Sequence, residues 1–584
     1  MSYTNSDAGC ANGKTDTSYE IGNHFHSEPT KPIKIICVGS GISGLCLAFK
    51  LCRRLESFEL AIYEKNPDIG GTWYENRYPG CACDIPAHLY TFSWAPKADW
   101  SKYYADSAEI EAYCKEFFHE HGLERFTHLQ HRVKEAVWDE ESGKWSVQIE
   151  DLATGVCKLD KSEILVNATG FLNKWKWPDI EGLESFKQPK VHSAAWDDSI
   201  DFEDKAIGVI GTGSSAIQII PQMQPVAKRL KVFMRSPTWI TTAIGGQVSS
   251  QFRGQQDEDT QGHKQFIFSD EQKERFRQDP EYHLDFRKRI EAEVNWMADI
   301  FNMGTEMQVQ TQASMREQMK KRIGEENSEL AEKLIPTWPP GCRRLTPGDR
   351  YLESLVQDNA EPIFGSIKKI DESAILMEDG TRYELDVLIC ATGFDVSFVP
   401  SFQITGRNGL TMSDVWKDEP DAYLGLAAPN FPNYFVVCGP QGPLGNGSIL
   451  PAIEVICDYI IEVAAKMQAE RIHSVVPKRH AATQFQEHMR KFHAKTVWTQ
   501  PCRSWYKTGK VDGLPQLWCG TALSYIKTIR TPRFEDYDIK YMGPNQWAFL
   551  GNGKLKAHNP LPDGSVDIDG LAPYIRNGET PWDI

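Results

Sequence analysis

The segment IKIICVGSGISG, Ile33 to Gly44, constrains this chain more than any other. A short β-branched run feeds straight into Gly-x-Gly-x-x-Gly, and Leu45, Leu47, Ala48 and Leu51 then follow at helical spacing. Strand, tight turn and helix in that order make the start of a dinucleotide-binding unit. Gly39 permits the turn, Gly41 lets backbone approach a pyrophosphate at the helix N-terminus, and Gly44 lets helix and strand pack closely. A second strand, FELAIYE, ends on Glu64, where a carboxylate would hydrogen-bond a ribose hydroxyl.

The unit recurs at AIGVIGTGSSAIQII. Here Gly211, Thr212, Gly213, Ser214, Ser215 and Ala216 form the turn, and the next strand, LKVFMR, ends on Arg235. An Arg where the first site has Glu64 suits the 2′-phosphate of NADP rather than a free hydroxyl. Two strand-end charges of opposite sign imply two different ligands, and FAD with NADPH fits both. Two further apolar strands close on Ala-Thr-Gly, ILVNATGF and VLICATGFD, and read as crossings between the two units.

The 584 residues exceed one core, and 41% hydrophobic with 25% charged residues is a globular composition. A net charge of −16 argues against a nucleic-acid or anionic-membrane surface. No apolar run reaches the roughly 20 residues of a spanning helix. Fourteen cysteines without a signal peptide or a Cys-x-x-Cys pair point to a reduced, cytoplasmic protein and against disulfide-reductase chemistry.

The chain resembles the class B flavoprotein monooxygenases, and among them the Baeyer–Villiger monooxygenases, over most of residues 34–540. Beyond the glycine turns the resemblance rests on GGTWYENRYPGCACDIP, the two Ala-Thr-Gly strands, GCRRLTPGDRYLE, SWY at Ser504–Tyr506, and FKQPKVHSAAWDD. The fungal secondary-metabolite branch is the nearest likeness, from CRSWYK, PRFEDY and the polar extensions. The family fingerprint F-x-G-x-x-x-H-x-x-x-W is matched by Phe186, His192 and Trp196, but Gln188 stands at the Gly position. Gln adopts φ > 0 only at a cost, and Pro189 pushes it towards extended backbone, so the loop is expected to turn differently.

The resemblance implies an α/β fold with two Rossmann-like dinucleotide-binding domains and an inserted helical subdomain. The expected divisions are a flexible leader over 1–33, FAD-binding parts at 34–170 and 390–540, NADP-binding parts at 171–243 and 338–389, a helical insertion at 244–337, and an extension at 541–584. Ser269 and Gln272 offer a capping box for the insertion's first helix, and Phe286, Ile290, Val294, Met297 and Phe301 follow at helical spacing.

The implied activity is oxygen insertion beside the carbonyl of a bulky ketone, through a peroxyflavin, at the expense of dioxygen and NADPH. Such chemistry needs a fixed cation in a poorly hydrated site, and Arg cannot be titrated away. By resemblance Arg344 is that cation, Asp84 holds it, and Arg343 contacts the NADP phosphate, with the two arginine roles exchangeable. Gly71, Thr72, Trp73, Tyr74 and Tyr78 lie near the flavin, and Trp505 sits in a loop folding over NADP. His192 and Trp196 belong to a connector that acts as hinge and relay. The helix after Asn446, Gly447 and Ser448 would aim its dipole at the flavin's pyrimidine edge. An N- or S-oxidising flavin monooxygenase is the neighbouring alternative, and a non-catalytic flavin-binding protein a more distant one. No metal is implied, and a monomer is compatible with the chain. Gln188→Gly should leave NADPH-dependent reduction and oxygenation largely intact; a large change in coupled turnover would show that the altered loop is itself functional.

Overall fold

Ile33–Val38 forms a strand that is almost wholly buried, and it occupies the centre of a five-stranded sheet. The computed structural model describes residues 19–29, 31–241, 248, 266–445 and 447–579. Phe58–Tyr63 pairs parallel to the central strand from Ile33↔Phe58 to Val38↔Tyr63, and Ile164–Asn167 pairs parallel on its other side. Thr127–His128 and Tyr434–Val436 complete the edges. Because helices cover such parallel sheets on both faces, their strands read as continuous apolar runs rather than alternating ones.

A second parallel sheet repeats this plan around Ala206–Ile210. Arg229–Met234 and Ala360–Phe364 lie on one side, Val387–Cys390 and Lys190–His192 on the other. In both sheets the strand before the glycine turn is central and the strand order reverses beside it. The crevice beyond the carboxyl ends of the strands at such a reversal is where this architecture accepts ligands.

The first glycine of each turn is required by geometry. Gly39 has φ +105°, and a Cβ there would stand 2.8 Å from the Ala168 carbonyl oxygen; Gly211 has φ +136°, with a Cβ 2.3 Å from that of Ala391. Each Ala-Thr-Gly segment therefore backs onto its own glycine turn. The chains leaving those segments run side by side, with Trp175 bridged to Phe394 and the Asp395 amide donating to the Lys174 carbonyl at 2.7 Å.

The α-helices Asp270–Gln278, Pro280–Trp296, Glu306–Ile323 and Ser328–Leu334 fall in the expected insertion. Ser269 and Gln272 form the reciprocal cap, 3.2 Å from the Gln272 amide to Ser269 Oγ and 2.9 Å from the Ser269 amide to Gln272 Oε1. Phe286 and Ile290 are buried against the first unit, where His283 Nε2 lies 2.8 Å from His88 Nδ1. The remainder of the insertion's first stretch, 244–247 and 249–265, lies outside the described residues, as do 1–18 of the leader and 580–584 of the tail. The tail is irregular, and its Phe549 and Lys554 carbonyls accept from the Ser27 and His26 amides. Among the described residues no helix is long and apolar enough to cross a membrane, and no group of residues could hold a metal ion.

The expectation of a wholly reduced chain is corrected at one pair. Cys342 and Cys502 form a disulfide with Cα atoms 6.3 Å apart and 160 positions between them in sequence. Spacing arguments look for cysteines close in sequence, and this bond is made by tertiary approach of two loops.

Gly211→Ala should lower stability by about 1–3 kcal/mol, from positive φ and the contact with Ala391. Gly213→Ala, where a Cβ meets nothing within 4 Å, should stay within about 0.5 kcal/mol. Thermal unfolding of the two variants checks this, and equal shifts would contradict it.

Candidate functional site

A cavity of about 410 Å³ opens at the carboxyl ends of the first sheet. Its lining combines the first glycine turn, Gly39 and Gly41, with Glu64, the Gly71–Thr72–Trp73 turn, Tyr78 and Asp84. From the second unit come Ser214, Ser215 and Arg344, and Trp505 closes it from a late loop. Residues widely separated in sequence thus converge on one space.

Glu64 is 4% exposed, and its carboxylate accepts from the Ser40 amide at 2.8 Å, Ser40 Oγ at 3.2 Å and the Asn66 amide at 2.9 Å. Burial raises its pKa, and the donors from Ser40 and Asn66 oppose that shift. A carboxylate offers about four acceptor positions, so one remains for a hydroxyl in the cavity.

Asp84 and Arg344 form a two-pronged ion pair, with Nε to Oδ2 at 2.6 Å and Nη2 to Oδ1 at 2.7 Å. Burial alone would favour a neutral guanidine, but the Asp84 charge and hydrogen bonds overcome it and hold Arg344 protonated well above the usual range. The buried Tyr506 phenol lies beside the same guanidinium, whose charge opposes the upward shift that burial gives its pKa. Sequence reasoning singled out Trp505 and missed its neighbour Tyr506; the signal available was its place in the same Ser-Trp-Tyr block. Trp505 stacks on Phe171 with ring centroids 5.2 Å apart.

Gln218, also missed, projects from the helix Ser214–Met223 of the second unit. Its Nε2 donates to the Ala82 carbonyl at 2.9 Å, and its Oε1 accepts from the Tyr78 hydroxyl at 2.8 Å. One side chain therefore ties the second glycine turn's helix to the Tyr78–Asp84 stretch. Ser214 Oγ lies 2.8 Å from Thr346 Oγ1, joining that turn to the arginine loop.

The remaining expected residues lie outside the cavity lining. Gly44 is a packing position, since a Cβ would come within 2.2 Å of the Gly39 carbonyl oxygen. Gly211, Thr212, Gly213 and Ala216 shape the second turn, with Thr212 Oγ1 donating to the Ser236 carbonyl at 3.0 Å. Arg343 Nη1 donates to Ser236 Oγ at 3.3 Å and to the Pro237 carbonyl at 3.2 Å, beside Arg235. Trp196 stacks on Phe202 within the second unit's core.

His192 is 1% exposed, stacked on Trp175 at 4.6 Å, with Nδ1 accepting from the Ala194 amide and Nε2 3.3 Å from Thr392 Oγ1. Burial pushes its pKa down to about 4, opposed by the Gly393 backbone as a hydrogen-bond acceptor, so it is neutral near pH 7. Gln188 is exposed and does not adopt positive φ, as expected from Pro189.

The 21-residue helix Ile449–Ala469 begins after Ser448, whose side chain makes no capping bond, and Gly447, Ile449 and Ile453 line the cavity; Asn446 lies outside the described residues. Glu291 of the insertion faces the start of this helix, where the Ser448 backbone opposes the upward shift that burial gives its carboxyl pKa.

The cavity suits a flavin dinucleotide on its own features. A Cβ at Gly41 would reach 3.4 Å from Gly71 Cα, so two glycine backbones form a narrow cradle. Beside it, Glu64 keeps an acceptor, and buried Ser448 Oγ has no hydrogen-bond partner. Fold and site together define a flavoprotein with two dinucleotide units and one arginine–carboxylate pair set between them.

Residues 37–107 match the model of the NAD(P)-binding Rossmann-like domain. The FAD-binding monooxygenase tazF of Aspergillus terreus is 39% identical over 92% of this chain and 95% of its own length. A Baeyer-Villiger monooxygenase of Streptomyces coelicolor is 29% identical over 89% and 95%. The structure of cyclohexanone monooxygenase from Rhodococcus sp. Phi1 bound to NADP+ superposes with TM-score 0.74 and 26% identity, covering 88% of this chain and 100% of that one. The chain belongs to the FAD-binding monooxygenases.

A His whose folded pKa is about 4 against an ordinary 6.5 stays neutral in the fold while the unfolded chain protonates. Its stabilising contribution is complete above about pH 6.5 and is lost as pH falls towards 4. Unfolding measured across that window should fall less steeply for His192→Asn than for the parent protein; identical slopes would contradict this placement.

Proposed function

We propose that the chain is an FAD- and NADPH-dependent Baeyer–Villiger monooxygenase, inserting one oxygen atom of dioxygen beside the carbonyl of a bulky secondary-metabolite ketone to give an ester or lactone. The carrying observation is the Asp84–Arg344 pair, a permanently charged guanidinium fixed at the edge of a cavity that the first glycine turn also lines.

FAD, when bound, would supply the reactivity towards dioxygen, and NADPH the electrons. Gly39, Gly41, Glu64 and the Gly71–Trp73 turn would hold the FAD, and Gly211, Gly213, Arg235 and Arg343 the NADPH. The chain's own task is electrostatic. Arg344 stabilises negative oxygen as it develops on the ketone-derived centre, and Asp84 with Tyr506 keeps the guanidinium from swinging away. Trp505, stacked on Phe171, covers the cavity and keeps water from it. His192, neutral between Trp175 and Thr392, serves as a hinge in the connector. The expected division of the chain is part of this reading, supported by first-sheet strands that lie, but for Ile33, in the two FAD-binding parts and second-sheet strands that lie, but for Cys390, in the two NADP-binding parts.

Incubation with a cyclic ketone and a thioether under labelled dioxygen separates the readings. Ester carrying one labelled oxygen supports the proposal, whereas sulfoxide alone would assign the chain to heteroatom oxidation. Arg344→Lys removes the planar two-pronged contact and should cut ester formation about a hundredfold or more, with NADPH consumption falling far less. An unchanged ratio of ester to NADPH would contradict the role given to Arg344.

A further inference from the structure

The disulfide joins the residues that immediately precede two arginines. Cys342 precedes Arg343 and Cys502 precedes Arg503, and Arg343 in turn contacts Ser236, the neighbour of Arg235. Three guanidinium-bearing positions are thus each within one residue of a linked triple of loops. Among the described residues none of the three has a carboxylate partner. This contrasts with Arg344 next door, which is paired with Asp84.

Arginines brought together without an anion repel one another. The effect is visible in the groups themselves: burial and then Arg503 lower the pKa of Arg235, and burial lowers that of Arg343, with Arg235 adding to the shift beyond an opposing Tyr351. Arg235 and Arg503 are exposed while Arg343 is half-buried, so an anion can reach all three from solvent. A dianion with three acceptor oxygens matches three planar donors in number and charge.

We propose that Arg503 is the third cation of the 2′-phosphate site formed with Arg235 and Arg343, and that the Cys342–Cys502 bond is the positioning element that holds Arg503 beside Arg343. The proposal rests on the NADPH reading above. The covalent link offsets like-charge repulsion that would otherwise spread the two loops while the site is empty. A second anchor lies on the same loop: buried Lys507 Nζ donates to the Gln500 carbonyl at 2.7 Å and to that of Val511 at 2.6 Å, so the segment carrying Arg503 is tied at its middle as well as at Cys502. Both sulfurs are buried and neither lines the cavity, which separates the bond from the flavin chemistry. Closing it removes two protons and two electrons from the thiol pair, which a small-molecule disulfide of the glutathione class accepts by becoming two thiols.

The test is calorimetric titration of the full chain, with FAD in excess, using 2′,5′-ADP and 5′-AMP as probes. Arg503→Gln should weaken 2′,5′-ADP roughly five- to tenfold, the size of one charge-assisted contact at an exposed position, and leave 5′-AMP within about twofold. Cys502→Ser should weaken 2′,5′-ADP selectively in the same direction and by less. Equal effects on both ligands, or none on either, would overturn the role of Arg503. Alkylation of the unreduced, denatured protein should leave Cys342 and Cys502 unlabelled, and labelling of both would overturn the clip. Because the readout is binding, failure of the parent protein to form ester bears only on the proposed reaction. Failure of the parent protein to prefer 2′,5′-ADP over 5′-AMP refutes the NADPH reading and this proposal with it.

Discussion

One half-buried guanidinium held by one carboxylate organises this site. Asp84 and Arg344 are 260 positions apart, one following the Trp73 turn of the first unit and the other leading out of the arginine loop beside the second. A charge partly removed from water is tolerated because its partner neutralises it with two aligned hydrogen bonds, and loss of either partner would strand the other. The pair therefore constrains how the two units can sit. Gln218 adds to that constraint through a neutral route, bonding both Tyr78 and the Ala82 carbonyl from the second unit's helix.

Charge is distributed around the cavity according to task. Glu64 faces the first glycine turn with most of its acceptor capacity already used, which fixes its orientation before any ligand arrives. Arg235 and Arg343 of the other unit, with Arg503 of the late loop tied to it by the Cys342–Cys502 bond, have no carboxylate partner among the described residues, so that surface is left in want of an anion. His192, in the connector, is kept neutral by burial. Two like-built sheets thereby acquire opposite preferences from a few side chains at their strand ends, which is how one architecture serves different ligands.

Much of this was legible in the sequence because the physics is local. The glycine turns, the strands before them and the Ser269 cap are each determined by residues within a few positions, and the family blocks brought Asp84, Arg344 and Trp505 to one cavity. What escaped depends on tertiary approach. The Cys342–Cys502 bond, Tyr506 beside the guanidinium and Gln218 across the units have no short-range signature, and Glu291 faces the Ser448 helix end from the insertion. Trp196 was read from its fingerprint neighbours, yet its stacking partner, Phe202, lies within its own unit. The loop at Gln188 shows the converse: Pro189 was enough to anticipate that its backbone avoids positive φ.

The account stands on Asp84 and Arg344 acting as a unit, and a double-mutant cycle of Asp84→Asn with Arg344→Lys, read as ester formed per NADPH consumed, tests that most directly. The account predicts strong non-additivity, with the double variant little worse than the more damaging single one, because each substitution alone already breaks the shared contact. Additive losses would mean that the two residues serve the reaction independently, and would contradict it.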